Sequence, residues 1–133
     1  MSNIERVGAM YAAFGRGDVP AILAGLAPDI EWDYGYNGAP IPWCSPRRGP
    51  AEVAGFFQSI ASDLTIEQFD VKAILGEGNL VLALLDTTAV TKATGKRVAE
   101  PDEVHVWHFN DAGLVQKFRQ RLDTWAAVEA MKP

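Results

Sequence analysis

A chain of 133 residues with 48% apolar and 22% charged side chains has the length of one domain and the composition of a globular protein, which excludes a disordered or fibrous chain. A net charge of −5 argues against nucleic acid as a partner, because phosphate binding needs clustered Lys and Arg. Outside Ala/Gly-rich helix the longest apolar run, Leu80 to Leu85, falls far short of the roughly 20 residues that cross a bilayer, so no membrane role is expected.

Met1 to Arg6 shows no basic region followed by an apolar core, and the single cysteine, Cys44, leaves no internal disulfide. A cytoplasmic location is the expectation. Ile4, Val7, Tyr11 and Phe14 recur at helical spacing behind a Ser2/Glu5 capping box, and Gly15 and Gly17 end this first helix. Asp18 caps a second, short helix through Ile22, Leu23 and Leu26, with Pro20 in its first turn and Pro28 as its stop. Ile30 to Tyr34 then alternates as a strand that would point Ile30, Trp32 and Tyr34 inward. Gly35 to Gly49 holds three Gly and three Pro without a period, which suggests a loop acting as a lid. Pro50 opens a third helix whose Val53, Phe56, Phe57 and Ile60 form one stripe.

Beyond Asp63 the pattern turns to strands: Ile66 to Leu75, Leu80 to Thr91, Arg97 to Phe109 and Leu114 to Leu122, separated by short Gly-bearing turns. Such an antiparallel meander of long strands must twist and curve. Thr124 to Met131 closes the chain as a short helix or tail. The expected fold is α+β, a cone-shaped curved antiparallel sheet wrapped around three N-terminal helices, as one domain over residues 1–133. Its cavity would be walled by Trp32, Tyr34, Phe56, Phe57, Trp107 and Phe118.

Period two places Glu103, His105, Trp107 and Phe109 on one face of their strand and His108 on the other. His105 thus sits between a carboxylate and an indole, where an imidazole can accept or donate a proton; the alternative is a core histidine satisfied by one hydrogen bond. On the last strand Phe118, Gln120 and Leu122 share the inward face, so Gln120 could orient a substrate oxygen or merely bond backbone. Asp123 looks like a helix cap. Asp86 is either a rim carboxylate or a buried one. In Trp43-Cys44-Ser45-Pro46-Arg47-Arg48 the arginines could favour a thiolate at Cys44 or meet an anionic ligand, and Trp43 is either a shield over the cavity or an anchor. Spacings for metal ligands, phosphate loops or dinucleotide binding are absent, so neither metal nor cofactor is expected.

The order helix, helix, strand, helix, meander, with Gly17-Asp18, Asp29-Ile30-Glu31-Trp32 and the stretch from His105-Val106-Trp107 through Asp111-Ala112-Gly113 to Phe118-Arg119-Gln120-Arg121-Leu122-Asp123-Thr124, resembles the SnoaL-like and ketosteroid-isomerase-related families of the nuclear transport factor 2-like superfamily, with its cystatin-like α+β barrel. The resemblance implies a homodimer formed through the sheet. It also implies a pocket for a small hydrophobic molecule, either in a cofactor-independent isomerase, cyclase or lyase or in a non-catalytic binder. In that likeness His105 takes the place of the isomerase pocket acid, Tyr34 falls at its general base, the catalytic Tyr falls near Met10, and the aspartate of the cyclases and epoxide hydrolases falls near Gln120. The expected site is therefore His105, Gln120 and Tyr34 in proton transfer, with Trp32, Trp43, Phe56, Phe57, Trp107 and Phe118 holding the substrate.

Overall fold

A computed structural model describes residues 1–36, 38 and 40–133. Helix α1 (Asn3–Gly15) starts where Ser2 Oγ accepts from the Glu5 amide while the Ser2 amide donates to Glu5 Oε1, a closed capping box. Asp18 accepts from Ala21 N at 3.2 Å to start α2 (Val19–Ala24). Strand β1 (Leu26–Trp32) follows, then a 3₁₀ turn at Pro42–Cys44, a two-residue β2 (Arg47–Arg48) and α3 (Gly49–Asp63). The meander is β3 (Leu64–Glu77), β4 (Leu80–Thr91), β5 (Arg97–Phe109) and β6 (Val115–Arg121), and Asp123 caps α4 (Thr124–Ala130).

The six strands form one sheet in the order β2-β1-β6-β5-β4-β3. All pairs are antiparallel except β1 with β6. Register shifts in the β3–β4, β4–β5 and β5–β6 pairs bend these long strands, because a bulge adds a residue on one side of a ladder and sharpens its twist. The helices lie in the concave face of the resulting cone. The core is sealed by Val7 from α1, Ile30 from β1, Val53 from α3, Val81 from β4 and Val115 from β6, all fully buried.

Several expectations are corrected at the start of the sheet. Leu26 belongs to β1 rather than to α2, since Leu26 and Trp32 pair with Val115 and Phe118 of β6 and this pairing overrides local helical spacing. Strand β1 also stops two residues early: Asp33 adopts φ 52°, a left-handed conformation that ends alternation. Tyr34 consequently leaves the inward face, and Asp33 enters the interior.

The stretch expected as a lid is largely strapped down. Ile41, Trp43 and Cys44 are buried, and Arg47–Arg48 pairs with Glu31–Trp32 of β1. Asn37 and Ala39, which fall within that stretch, lie outside the described residues.

Candidate functional site

A cavity of about 120 Å³ opens between the concave sheet and α1–α3. Trp32, Phe56, Phe57, Trp107 and Phe118 line it, as the strand and helix periods predict, and so do Trp43 from the aperiodic segment, His105 and Gln120. The Trp32 and Phe118 rings stack with centroids 4.0 Å apart, and Trp107 meets Phe118 at 4.6 Å in an edge arrangement. These contacts give the cavity an aromatic floor. Tyr34 is absent from the wall. Its hydroxyl shares a 3.3 Å hydrogen bond with His108 Nε2 on the outer side of the sheet, with Lys117 and Arg119 over its ring.

Into the apolar wall runs one chain of polar contacts. Trp107 Nε1–H donates to the Tyr11 hydroxyl at 3.2 Å, Tyr11 lies 2.6 Å from His105 Nδ1, and His105 Nε2 lies 2.5 Å from Glu103 Oε2. Thr87 Oγ1 donates to Glu103 Oε1 at 3.0 Å. An indole can only donate, so the Tyr11 oxygen accepts there; and because the Glu103 carboxylate can only accept, a neutral His105 ring leaves Nδ1 bare to accept the Tyr11 proton. The imidazole then carries its proton on Nε2 and donates it to Glu103. Burial pushes the Tyr11 phenol well above its usual range, reinforced by the Glu103 charge, which keeps it a neutral donor.

Beside this chain lies a second buried pair. Gln120 donates from its backbone N to Asp33 Oδ1 at 2.9 Å and from Nε2 to Asp33 Oδ2 at 2.8 Å. Asp33 is fully buried, and burial pushes its carboxyl up to about 6 despite the hydrogen bonds from Gln120 that pull the other way. Tyr36 donates to the Gln120 carbonyl at 2.5 Å, closing the rear of the site.

The Trp32 indole N–H, buried in the aromatic floor, donates to nothing among the described residues. Cys44 does not become a thiolate: burial and the nearby Asp33 charge push its thiol up, outweighing Arg47. No cluster of three or more metal-type ligands occurs among the described residues, and no helix among them is long and apolar enough to cross a membrane.

Sequence reasoning missed Tyr11, Asp33, Glu100 and Phe69. Tyr11 was visible on the apolar stripe of α1 but reads there as core. Glu100 and Phe69 face the cavity because bulges invert the alternation. In β5 the inward residues change from Val98 and Glu100 to Glu103 and His105 across Pro101–Asp102, where Asp102 has φ 59°. In β3 the shift between Ile66 and Gln68 has the same effect for Phe69. Asp86 is at the rim, paired with Lys72.

Residues 7–117 match the family model of the SnoaL-like domain. The chain belongs to the SnoaL-like family. Solved structures place this SnoaL-like chain in the NTF2-like superfamily. It is 28% identical to an NTF2-like protein from Burkholderia thailandensis, at a TM-score of 0.86 over 100% of this chain and 99% of the other. It is 25% identical to an NTF2-like protein of unknown function from Burkholderia pseudomallei, at 0.85 over 100% of both chains. TerC, solved co-crystallized with polyporic acid, is 26% identical at 0.76 over 98% of each chain. No protein of curated function matches. The cone and its cavity are thus those of a SnoaL-like small-molecule pocket.

Proposed function

We propose that the chain binds a small hydrophobic molecule in this cavity and moves a proton on it, as a cofactor-independent isomerase, cyclase or lyase of the cytoplasm. The observation that carries the reading is the Glu103–His105–Tyr11 chain set in an otherwise aromatic wall. A ligand C–H or O–H made acidic by a neighbouring carbonyl gives its proton to the Tyr11 oxygen as the Tyr11 proton passes to His105 Nδ1. The imidazolium so formed keeps both ring protons hydrogen-bonded, and its charge is met by Glu103. Reversal at a second ligand atom returns the proton and leaves the protein unchanged. Gln120 meets the ligand from the same wall, in register with His105 on the neighbouring strand β6.

The test follows deuterium exchange at the acidic C–H of 2-tetralone in heavy water by proton NMR. Wild type is expected to accelerate exchange, and His105→Gln to lose that acceleration while staying folded by circular dichroism. Equal rates in the two proteins would overturn the proton-transfer role.

One observation favours a second reading, binding without turnover. Every polar atom from Trp107 through Glu103 already has a partner inside the protein, so the chain could serve only to hold the wall rigid. Polyporic acid, the molecule crystallized with TerC, is a first ligand to try. Recovery of that ligand unchanged, with no 2-tetralone exchange above background, would favour this reading.

We also assign the outer sheet face to a second copy of the chain. Leu75 and Leu82 are register partners there, next to Leu80, and are 67%, 39% and 41% exposed in that order, an apolar strip of the kind that marks an interface. Light scattering should find a dimer that Leu82→Asp dissociates; a monomeric wild type would refute it.

A further inference from the structure

Asp33 has no place in the proton relay, yet it is fully buried and grips one residue twice. A carboxylate can only accept hydrogen bonds, so the Gln120 amide must turn its nitrogen toward Asp33. Its oxygen is then the free end of a side chain that lines the cavity, and among the described residues that oxygen receives no hydrogen bond. Rotation is further opposed from behind, where Tyr36 holds the Gln120 backbone carbonyl and the Gln120 backbone N holds Asp33.

We propose that Asp33 is a positioning residue that locks Gln120 as a hydrogen-bond acceptor facing the cavity, so that the site selects hydroxylated aromatic or enolic ligands over ones that only accept. This rests on the pocket reading above but not on turnover. A ligand hydroxyl donates to Gln120 Oε1. An unpaired buried polar group on either side of a complex discriminates strongly.

The lock has a proton-dependent release. A protonated Asp33 can donate as well as accept, so Gln120 becomes free to flip and present its NH₂ to the ligand. The ionisable groups packed around Asp33 are His105 from β5, Arg47 from β2, and Tyr36 and Cys44 from the segment between β1 and β2. Tyr36 and Cys44 are held neutral by burial, and burial holds the Asp33 carboxyl at about 6, so release falls on the acid side of neutrality.

The probes are 2-naphthol and the acceptor-only 2-naphthaldehyde, titrated by tryptophan fluorescence, together with the Gln120 side-chain amide signals in a ¹H–¹⁵N spectrum. Wild type at about pH 8 is expected to prefer naphthol by roughly tenfold. Asp33→Asn should cut that preference to about threefold or less, as should lowering the pH to about 5 in wild type. The Gln120 amide signals should move with pH in wild type and stay put in Asp33→Asn. Should Asp33→Asn fail to fold, Gln120→Met removes the acceptor directly and should lose the preference in the same way. Both probes bound equally by wild type, or a preference unchanged in either variant, would overturn the selection while leaving the pocket standing. Binding of neither probe would remove the pocket reading itself and the selection with it.

Discussion

Two histidines, three residues apart on β5, have opposite fates. His105 is buried in the cavity wall between Tyr11 and Glu103. His108 lies across the sheet, half-buried beside Tyr34, where partial burial and the nearby Lys117 charge hold its imidazole below the usual range. Their β6 register partners divide in the same way: Gln120 inward on Asp33, Lys117 outward over the ring of Tyr34. The same residue types, offset by an odd step along a strand, become a relay on one side and a charged aromatic surface on the other. Residue type alone therefore predicts nothing here; the face and the partner decide.

The most severe challenge to that contrast is to damage each side alike. His105→Gln should lower the 2-tetralone exchange rate by about 10²-fold or more, whereas His108→Gln should change it by less than about twofold. Comparable losses in both would erase the distinction. In stability, Phe118→Ala should cost about 3–5 kcal/mol in urea unfolding, since it empties the stack beneath Trp32. Arg119→Ala, next door on the outer face, should cost about 1 kcal/mol or less.

The contrast sharpens with pH. Because burial raises the Asp33 carboxyl in the folded protein to about 6 from an ordinary 3.8, folding takes up a proton at mildly acidic pH. The stability it contributes is fully present below about pH 4 and is lost as pH rises through about 6, on the order of 3 kcal/mol. Wild type should thus gain relative to Asp33→Asn as pH falls from about 7 to 4. A gap between the two that does not vary with pH would mean Asp33 is charged throughout. A small effect is expected at Thr87→Val, which removes one hydrogen bond from Glu103 and should cost about 1 kcal/mol in the same unfolding measurement.

Much of this was legible where local rules and the sheet agree. Arg97 to Phe109 and Leu80 to Thr91 emerge with the ends that their flanking turns suggest. Strict alternation from Glu103 to Phe109 places His105 and Trp107 in the wall, and Asp123 caps α4 as its chemistry indicates. What was hidden lies at breaks in periodicity. The φ of 52° at Asp33 exchanges Tyr34 for Asp33 inside. The bulge at Pro101–Asp102 turns Glu100 inward, and α1 delivers Tyr11 to a strand 94 residues away. None of these is encoded in a repeating pattern, because each depends on which strand pairs with which.

The relay itself is open to direct inspection through long-range ¹H–¹⁵N correlation of the histidine rings at about pH 7.5, where imidazole tautomers are distinguishable. The account predicts that His105 carries its proton on Nε2, protected from exchange by Glu103, with a bare Nδ1 whose signal shifts in Tyr11→Phe. A His105 ring protonated on Nδ1 alone, or one that ignores the loss of the Tyr11 hydroxyl, would contradict it.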